Sequence, residues 1–500
     1  MKKKINKVLL FIPPASTFKN RIDINPLPPL GLGYLGAVLE ENGIQVKIID
    51  CLIEGWGERA DLRDGLIRIG LSFDDIGKII RSYGPDIVGV NNLFTKQREN
   101  AHHIYELAKK ADRNIITIAG GAHPSVMPGL VLSDPNVDYV VLGEGERTII
   151  DLVHVIEGAC DISTLDGLGY RAGGSVKIVP KTRFIEDLDS LPFPARHLLS
   201  MEKYFGLSSS HGDRRKKRFS PVITSRGCPA HCTFCSAYAV WGRRFRSRSP
   251  ENVINEIRHL RSAYGIEEIM FEDDNLTLDP RRAGAIFDGM IREKFNIGWD
   301  TPNGIAAWTL SESLIDKMKK SGCTAINFAI ESGNQRVLDD IIKKPVNLEK
   351  VKPLVKYARK AGMKVGIFLV IGMPHETKDE IWDSFRLAAQ LGIYTPHISI
   401  ATPYPGSELY DYCVKSKCLR PDFSLDDLYI RSFAIATGEF DDAALKNILS
   451  DGQRYLLTSF MRNDPFTFLS VCIRKVAKDP VAFFKKVLDL ICLKDWTKIR

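Results

Sequence analysis

Three cysteines fall within eight positions, in the stretch Arg226-Gly227-Cys228-Pro229-Ala230-His231-Cys232-Thr233-Phe234-Cys235-Ser236. Thiolates are soft ligands for iron and zinc, and a short loop carrying several of them can wrap one centre. Three residues separate Cys228 from Cys232 and two separate Cys232 from Cys235, with no fourth cysteine close behind. Three ligands on a four-iron cluster leave one iron open for a small molecule, as a catalytic zinc keeps a vacant position. A zinc site completed by His231 or a distant residue, or core cysteines grouped by chance, are the alternatives that the spacing leaves. The other seven, Cys51, Cys160, Cys323, Cys413, Cys418, Cys472 and Cys492, are scattered and read as small apolar residues.

A loop of this kind needs a rigid element in front of it. The apolar run Pro221–Ser225 ends directly before it and opens a series of strand candidates at Glu267–Phe271, Gly298–Ile305, Ala325–Glu331, Lys364–Ile371 and His397–Thr402. Helices separate them. Ser249-Pro250-Glu251 and Asp279-Pro280 put a capping side chain before a first-turn proline, and Thr377-x-x-Glu380 is a capping box. Six such repeats predict a partial (β/α)6 barrel, whose working face is made by the loops after the strands.

Upstream, short apolar runs at Lys7–Ile12, Gln45–Asp50, Asp86–Asn92, Asn114–Ala119 and Asp138–Leu142 alternate with helical patterns at Leu32–Asn42, Asp74–Tyr83, Glu99–Ala111 and Arg147–Ile156. This predicts a doubly wound, Rossmann-like parallel sheet that binds its ligand at the strands' carboxyl ends. Gly31, Gly33 and Gly36 have the G-x-G-x-x-G spacing but do not follow a strand directly, so the dinucleotide context is wrong. A hairpin turning at Gly173-Gly174 and a proline-rich connector, Asp187 to Arg196, separate the two units. The basic run Arg214 to Arg218 reads as a solvated loop, and the last ~80 residues as helical, with apolar and lysine positions interspersed over Phe466–Lys478 and Pro480–Lys494. The expected division is 1–165, 166–215 (hairpin and linker), 216–415 and 416–500 (helical).

The composition is that of a globular protein: 500 residues, 44% hydrophobic, 26% charged and a net charge of +8. That mild charge does not call for nucleic acid. No run approaches the ~18 apolar residues of a membrane span, and Lys2-Lys3-Lys4 precedes an apolar stretch too short for a signal peptide, so a cytoplasmic location is expected.

The CxxxCxxC spacing, with Phe234 before its last cysteine, resembles the radical S-adenosylmethionine (radical SAM) superfamily. The resemblance implies a 4Fe-4S cluster held by Cys228, Cys232 and Cys235. Its open iron would bind S-adenosyl-L-methionine, which is cleaved by one electron to a hydrogen-abstracting 5′-deoxyadenosyl radical. Phe271-Glu272-Asp273-Asp274-Asn275 follows the second strand, where the family meets the ligand's amino end. Ala329 to Arg336 follows the fourth, near ribose, and Ile371 to Thr377 the fifth, near adenine. Phe234, Asp273, Glu331, Ser332 and Gly372 are the implied nucleoside contacts. The first unit resembles the cobalamin-binding domain attached to many of these enzymes, through Pro28 to Gly36, Gly120 to Pro124 and Gly143 to Glu146. Leu30, Gly31, Gly33, Asn91, Thr95, Gly120, Gly121, His123, Gly143 and Glu144 would then enclose cobalamin. The cobalt-ligating D-x-H-x-x-G motif is absent, which implies cobalt without a protein imidazole below it.

The implied activity is methylation of an unactivated carbon in a small-molecule substrate, with a flavodoxin or ferredoxin as reductant. Oxidative cyclisation or ring rearrangement with the same cofactors is the alternative within the enzyme class, and a non-catalytic iron–sulfur or zinc protein the alternative outside it. No side chain stands out as an acid or base. The C-terminal helices read first as a cap on the barrel, with a basic amphipathic surface for peripheral membrane contact or greasy substrates as the lesser alternative.

Overall fold

The computed structural model describes residues 3–19, 24–207, 216–428 and 433–478. Arg214, Arg215 and the helical pattern at 480–494 lie outside these.

Parallel strands covered on both faces are apolar along most of their length, and the strands Lys7–Ile12 and Glu268–Phe271 inside the two main sheets are buried almost end to end. The first has seven strands, in the spatial order Ser175–Val179, Leu168–Ala172, Tyr139–Val141, Ile116–Gly120, Ile87–Asn91, Lys7–Ile12 and Gln45–Asp50. The last five run parallel, and the order reverses between Lys7–Ile12 and Ile87–Asn91, the position where such sheets open a crevice. The 168–179 hairpin adds to this sheet as two antiparallel edge strands. Beside it sits a small antiparallel sheet of Ala15–Phe18, Arg59–Asp61 and Leu66–Ile69, whose strands of three or four residues are too short to show an apolar period in the sequence.

The second sheet takes its six strands in chain order, all parallel: Phe219–Val222, Glu268–Phe271, Gly298–Asp300, Cys323–Glu331, Lys364–Ile371 and His397–Ile400. It is the expected partial barrel. Its helices start where the capping residues stand. Ser249 accepts from the Asn252 amide, Asp279 from those of Arg281 and Arg282, and Thr377 with Glu380 forms a reciprocal capping box.

One apolar core runs through the barrel and into one face of the first sheet, while the other face has its own core around Phe11, Val88 and Tyr105. The first-domain helix Leu30–Glu41 begins two residues earlier than expected, so the glycine triplet lies inside it. A Cβ on Gly33 would stand 2.9 Å from Pro194, and one on Gly36 3.0 Å from Leu198. Those two glycines let the helix press against the connector instead of lining a ligand loop.

The C-terminal region packs as helices on the barrel. Gly452, in helix Asp442–Asn463, lies so close to the buried Phe385 that a Cβ would come within 2.2 Å of its ring. Gly452→Ala is therefore expected to destabilise the protein by about 1–3 kcal/mol through overpacking, read as a lower urea midpoint.

Candidate active site

The cysteine loop leaves the barrel after the short strand Ser225–Arg226. Its direction is set from below by Asp273, whose buried carboxylate accepts from the Thr224 amide (3.1 Å), the Thr224 hydroxyl (2.7 Å) and the Ser225 hydroxyl. From the side, Thr233 bonds Ile342 and Ile341 through its amide (3.0 Å) and hydroxyl (2.9 Å), and its carbonyl accepts from the Leu409 amide. Phe234 packs partly buried against the barrel core.

Cys228, Cys232 and Cys235 are half-buried and unbridged. Burial pushes all three thiols up, Cys232 to about 12. The Ala237 amide donates to Cys235 Sγ at 3.5 Å, and the Ala230 amide and Asn275 side chain bond to Cys228. Bonds of that kind stabilise cluster thiolates. Among the described residues no three His, Cys, Asp or Glu side chains converge on a point fit for one metal ion. Thiols that each bind a separate iron do not need to. The donor set therefore fits a cluster, in which displacement of the thiol protons accompanies metal binding.

Around the thiols stand charged groups that the sequence did not single out. Lys344 follows the π-helical segment Val337–Ile342 that grips Thr233, and its ammonium lies 2.7 Å from Glu331 Oε1, both residues being buried. Burial opposes its charge, yet Glu331 and the neighbouring thiols hold its pKa above the ordinary value. Glu331 itself ends the fourth strand with φ +76°, beside the fully buried Ser332, whose hydroxyl accepts from the Asn334 amide. With Asp273 committed to the loop's base, the carboxylates left at the second strand are its neighbours. Partial desolvation and the Asp273 charge raise Asp274, which keeps an exposed surface, to about 6, and burial raises Glu272 to about 7.

At the fifth strand's end, Gly372 (φ +84°) and Met373 donate to Glu376 Oε2 at 2.8 and 3.0 Å. Glu376 is wholly buried, and burial lifts it to about 8. The folded state then keeps a proton that the unfolded chain releases near pH 4.5. This contribution to stability is complete below about pH 4.5 and declines, by up to about 1.4 kcal/mol per pH unit, until about pH 8. Glu376→Gln is expected to flatten that decline in unfolding curves measured across the window.

The first domain presents its carboxyl-end loops to the same region. Leu30 is buried at the helix start, and Gly31 faces Asn91, a Cβ there lying 3.9 Å from its Nδ2. Gly121 (φ +102°) is wedged against Asn91 and Asn92, whereas Gly120 faces open space. His123 is 1% exposed. Its Nδ1 lies 3.1 Å from the Thr95 hydroxyl, while its Nε2 has no partner among the described residues. Burial and the nearby Arg98 charge lower it to about 4, so the ring is neutral. Asn92 Oδ1 is likewise buried and unpartnered, and the next two residues, Leu93 and Phe94, are 50% and 60% exposed. Orphaned polar atoms next to bare apolar side chains fit a large ring with amide arms, such as a corrin.

Gly143 and Glu144 do something else. A Cβ on Gly143 would be 3.0 Å from the Val240 carbonyl, so the loop abuts the segment after the cysteines. Glu144 is fully enclosed by protein: Oε1 meets Arg226 at 3.2 Å and Arg246 at 2.6 Å, and Oε2 accepts from the Ile185 amide at 2.8 Å. Glu146 adds a second contact to Arg226 at 2.6 Å, and the guanidinium sits between the rings of Tyr34 and Trp241. A carboxylate read as a cofactor contact is thus an interdomain clamp, on an arginine two residues before Cys228.

Residues 25–153 match the family described as B12 binding domain, and residues 222–388 the Radical SAM superfamily. The chain is 38% identical, over 85% of its length and 84% of the relative's, to cytidylyl-2-hydroxyethylphosphonate methyltransferase of Streptomyces wedmorensis. It is 35% identical to an uncharacterized methyltransferase of Pyrococcus horikoshii, over 83% and 85%. The fold matches the radical S-adenosylmethionine methyltransferase TsrM from Kitasatospora setae, solved with cobalamin and a [4Fe-4S] cluster, with a TM-score of 0.66 and 17% identity over 82% of this chain and 78% of that one.

Proposed function

Since the chain belongs to the cobalamin-binding radical S-adenosylmethionine enzymes, we propose that it transfers a methyl group to an unactivated carbon of a small-molecule substrate. The observation that carries this is the meeting of two half-sites. Helix Ala122–Val126, which carries His123, packs against Tyr238–Trp241, three residues after the last cysteine of the loop. The methyltransferase relatives support the same reading.

When bound, the cluster supplies a single electron and an open iron corner, and cobalamin a carrier for the methyl group. The chain's own residues do the holding. Cys228, Cys232 and Cys235 would ligate the cluster, with the Ala237 amide and Asn275 steadying their sulfurs. Lys344, neutralised in part by Glu331, offers a buried positive charge to the ligand's carboxylate side, and Asp274 a negative one to its amino side. Ser332 and the Gly372 backbone would line the nucleoside. His123, uncharged and oriented by Thr95, would meet a polar arm of the corrin while Leu93 and Phe94 keep water from its face.

A flavodoxin- or ferredoxin-type donor, a cytoplasmic setting and a peripheral membrane contact through the C-terminal helices complete the reading. Nucleic acid has no part in it. Anaerobic reconstitution with iron and sulfide, with and without cobalamin, tests it. Cobalamin-dependent S-adenosylhomocysteine together with 5′-deoxyadenosine is expected. The deoxynucleoside alone, at equal rates with and without cobalamin, would sink methyl transfer.

A further inference from the structure

Next to the cluster loop, on the side of the connector, lies a cleft of about 500 Å³ with guanidinium groups on every wall. Arg147 comes from the first turn of helix Glu146–Ile156, Arg183 from the stretch between the hairpin and the connector, and Arg243, Arg244 and Arg246 from the segment after the cysteines. One carboxylate, Glu186, is among its lining residues, and it pairs with Arg244 at 2.9 Å. Arg246 is taken by Glu144 behind the wall. Arg243 lies over the Tyr238 ring and donates to the Ala230 carbonyl at 3.0 Å, inside the cysteine loop. The Arg183 guanidinium donates to the Thr164 carbonyl, while its backbone amide meets Asp166, and among the described residues neither that guanidinium nor Arg147's has a carboxylate within ion-pair distance.

Like charges gathered in one concavity repel unless something negative joins them, and the half-buried rings of Phe184 and Trp241 line the same cleft. Guanidinium forks match the oxygens of a tetrahedral phosphoryl group in both geometry and charge. We propose that this cleft seats a phosphate or phosphonate group carried by the substrate, anchoring the molecule one wall away from the cluster. The assignment deepens the methyl-transfer reading, since it names the class of molecule that would be methylated.

Binding can be measured without turnover, so the two ideas fail separately. Titration of the cofactor-loaded protein with ethylphosphonate, cytidine monophosphate, inorganic phosphate and acetate, followed by calorimetry, gives the answer. Ethylphosphonate and the nucleotide are expected to bind, and the Arg147→Gln/Arg183→Gln variant to bind them at least tenfold more weakly with its iron and cobalamin content unchanged. Three results would overturn the proposal: no binding of either organic ligand, equal binding by the variant, or acetate binding as well as phosphonate. Preference for inorganic phosphate over both organic ligands would also overturn it, because the cleft would then be a free-phosphate site.

Discussion

Alanine at any one of Cys228, Cys232 or Cys235 is expected to abolish reductive cleavage of S-adenosylmethionine and to lower the iron content of the reconstituted protein. Residues that only hydrogen-bond to metal ligands already cost about 10–100-fold when lost, so a missing ligand must cost more. Here no substitute is at hand. Thr233 is fixed by two backbone hydrogen bonds, to residues 342 and 409, and by its hydroxyl bond to residue 341, so the loop cannot shift to offer another donor. Cys160, which is exposed and remote in sequence, provides the control, and Cys160→Ala should leave both readouts unchanged. Iron analysis and chromatography of 5′-deoxyadenosine check this. Full turnover by any of the three loop variants would show that the thiols do not hold the cluster.

The second large effect is expected at Glu144. Removing one partner of a buried ion pair leaves the other charge without compensation, at about 3–5 kcal/mol. Glu144→Ala would strip Arg246, 2% exposed at its side chain, of the one carboxylate that it meets among the described residues, and Arg226 of one of the two that it meets there. It would also free the Ile185 amide. The loss should fall on the junction between the sheets, giving a lower urea midpoint together with faster proteolysis of the stretch around Ile185 that leads into the connector. Glu144→Gln keeps the amide's acceptor but not the charge, and should fall between the two. An alanine variant as stable as the parent would show that the clamp contributes nothing.

The sequence was most legible where a local pattern decides the structure. Lys7–Ile12, Gln45–Asp50 and Lys364–Ile371 occur with the bounds that their apolar runs imply, and the capped helices start at their capping residues. It was least legible where partners come from far along the chain. Glu144 and Arg246 are 102 positions apart, and Lys344 owes its place to a π-helical turn whose residues look like any amphipathic stretch. Asp273 could be read as a ligand contact because its loop adjoins the site, whereas its hydrogen bonds run to Thr224 and Ser225 beneath it. The glycine triplet misled for a related reason. Spacing tells that backbones approach closely there, and only the fold tells that the neighbour is Pro194.

Helix Asp442–Asn463 reaches further than a cap. Leu445, in its first turn, rests against Gly372, where a Cβ would stand 3.0 Å from its Cδ1. The turn proposed to receive the adenine is therefore braced from outside by a segment that no cofactor motif includes. Two homologues with identical barrels but different sequence after residue 441 would grip the nucleoside unequally. Trimming this tail should register as a weaker dissociation constant for the sulfonium before it registers as unfolding.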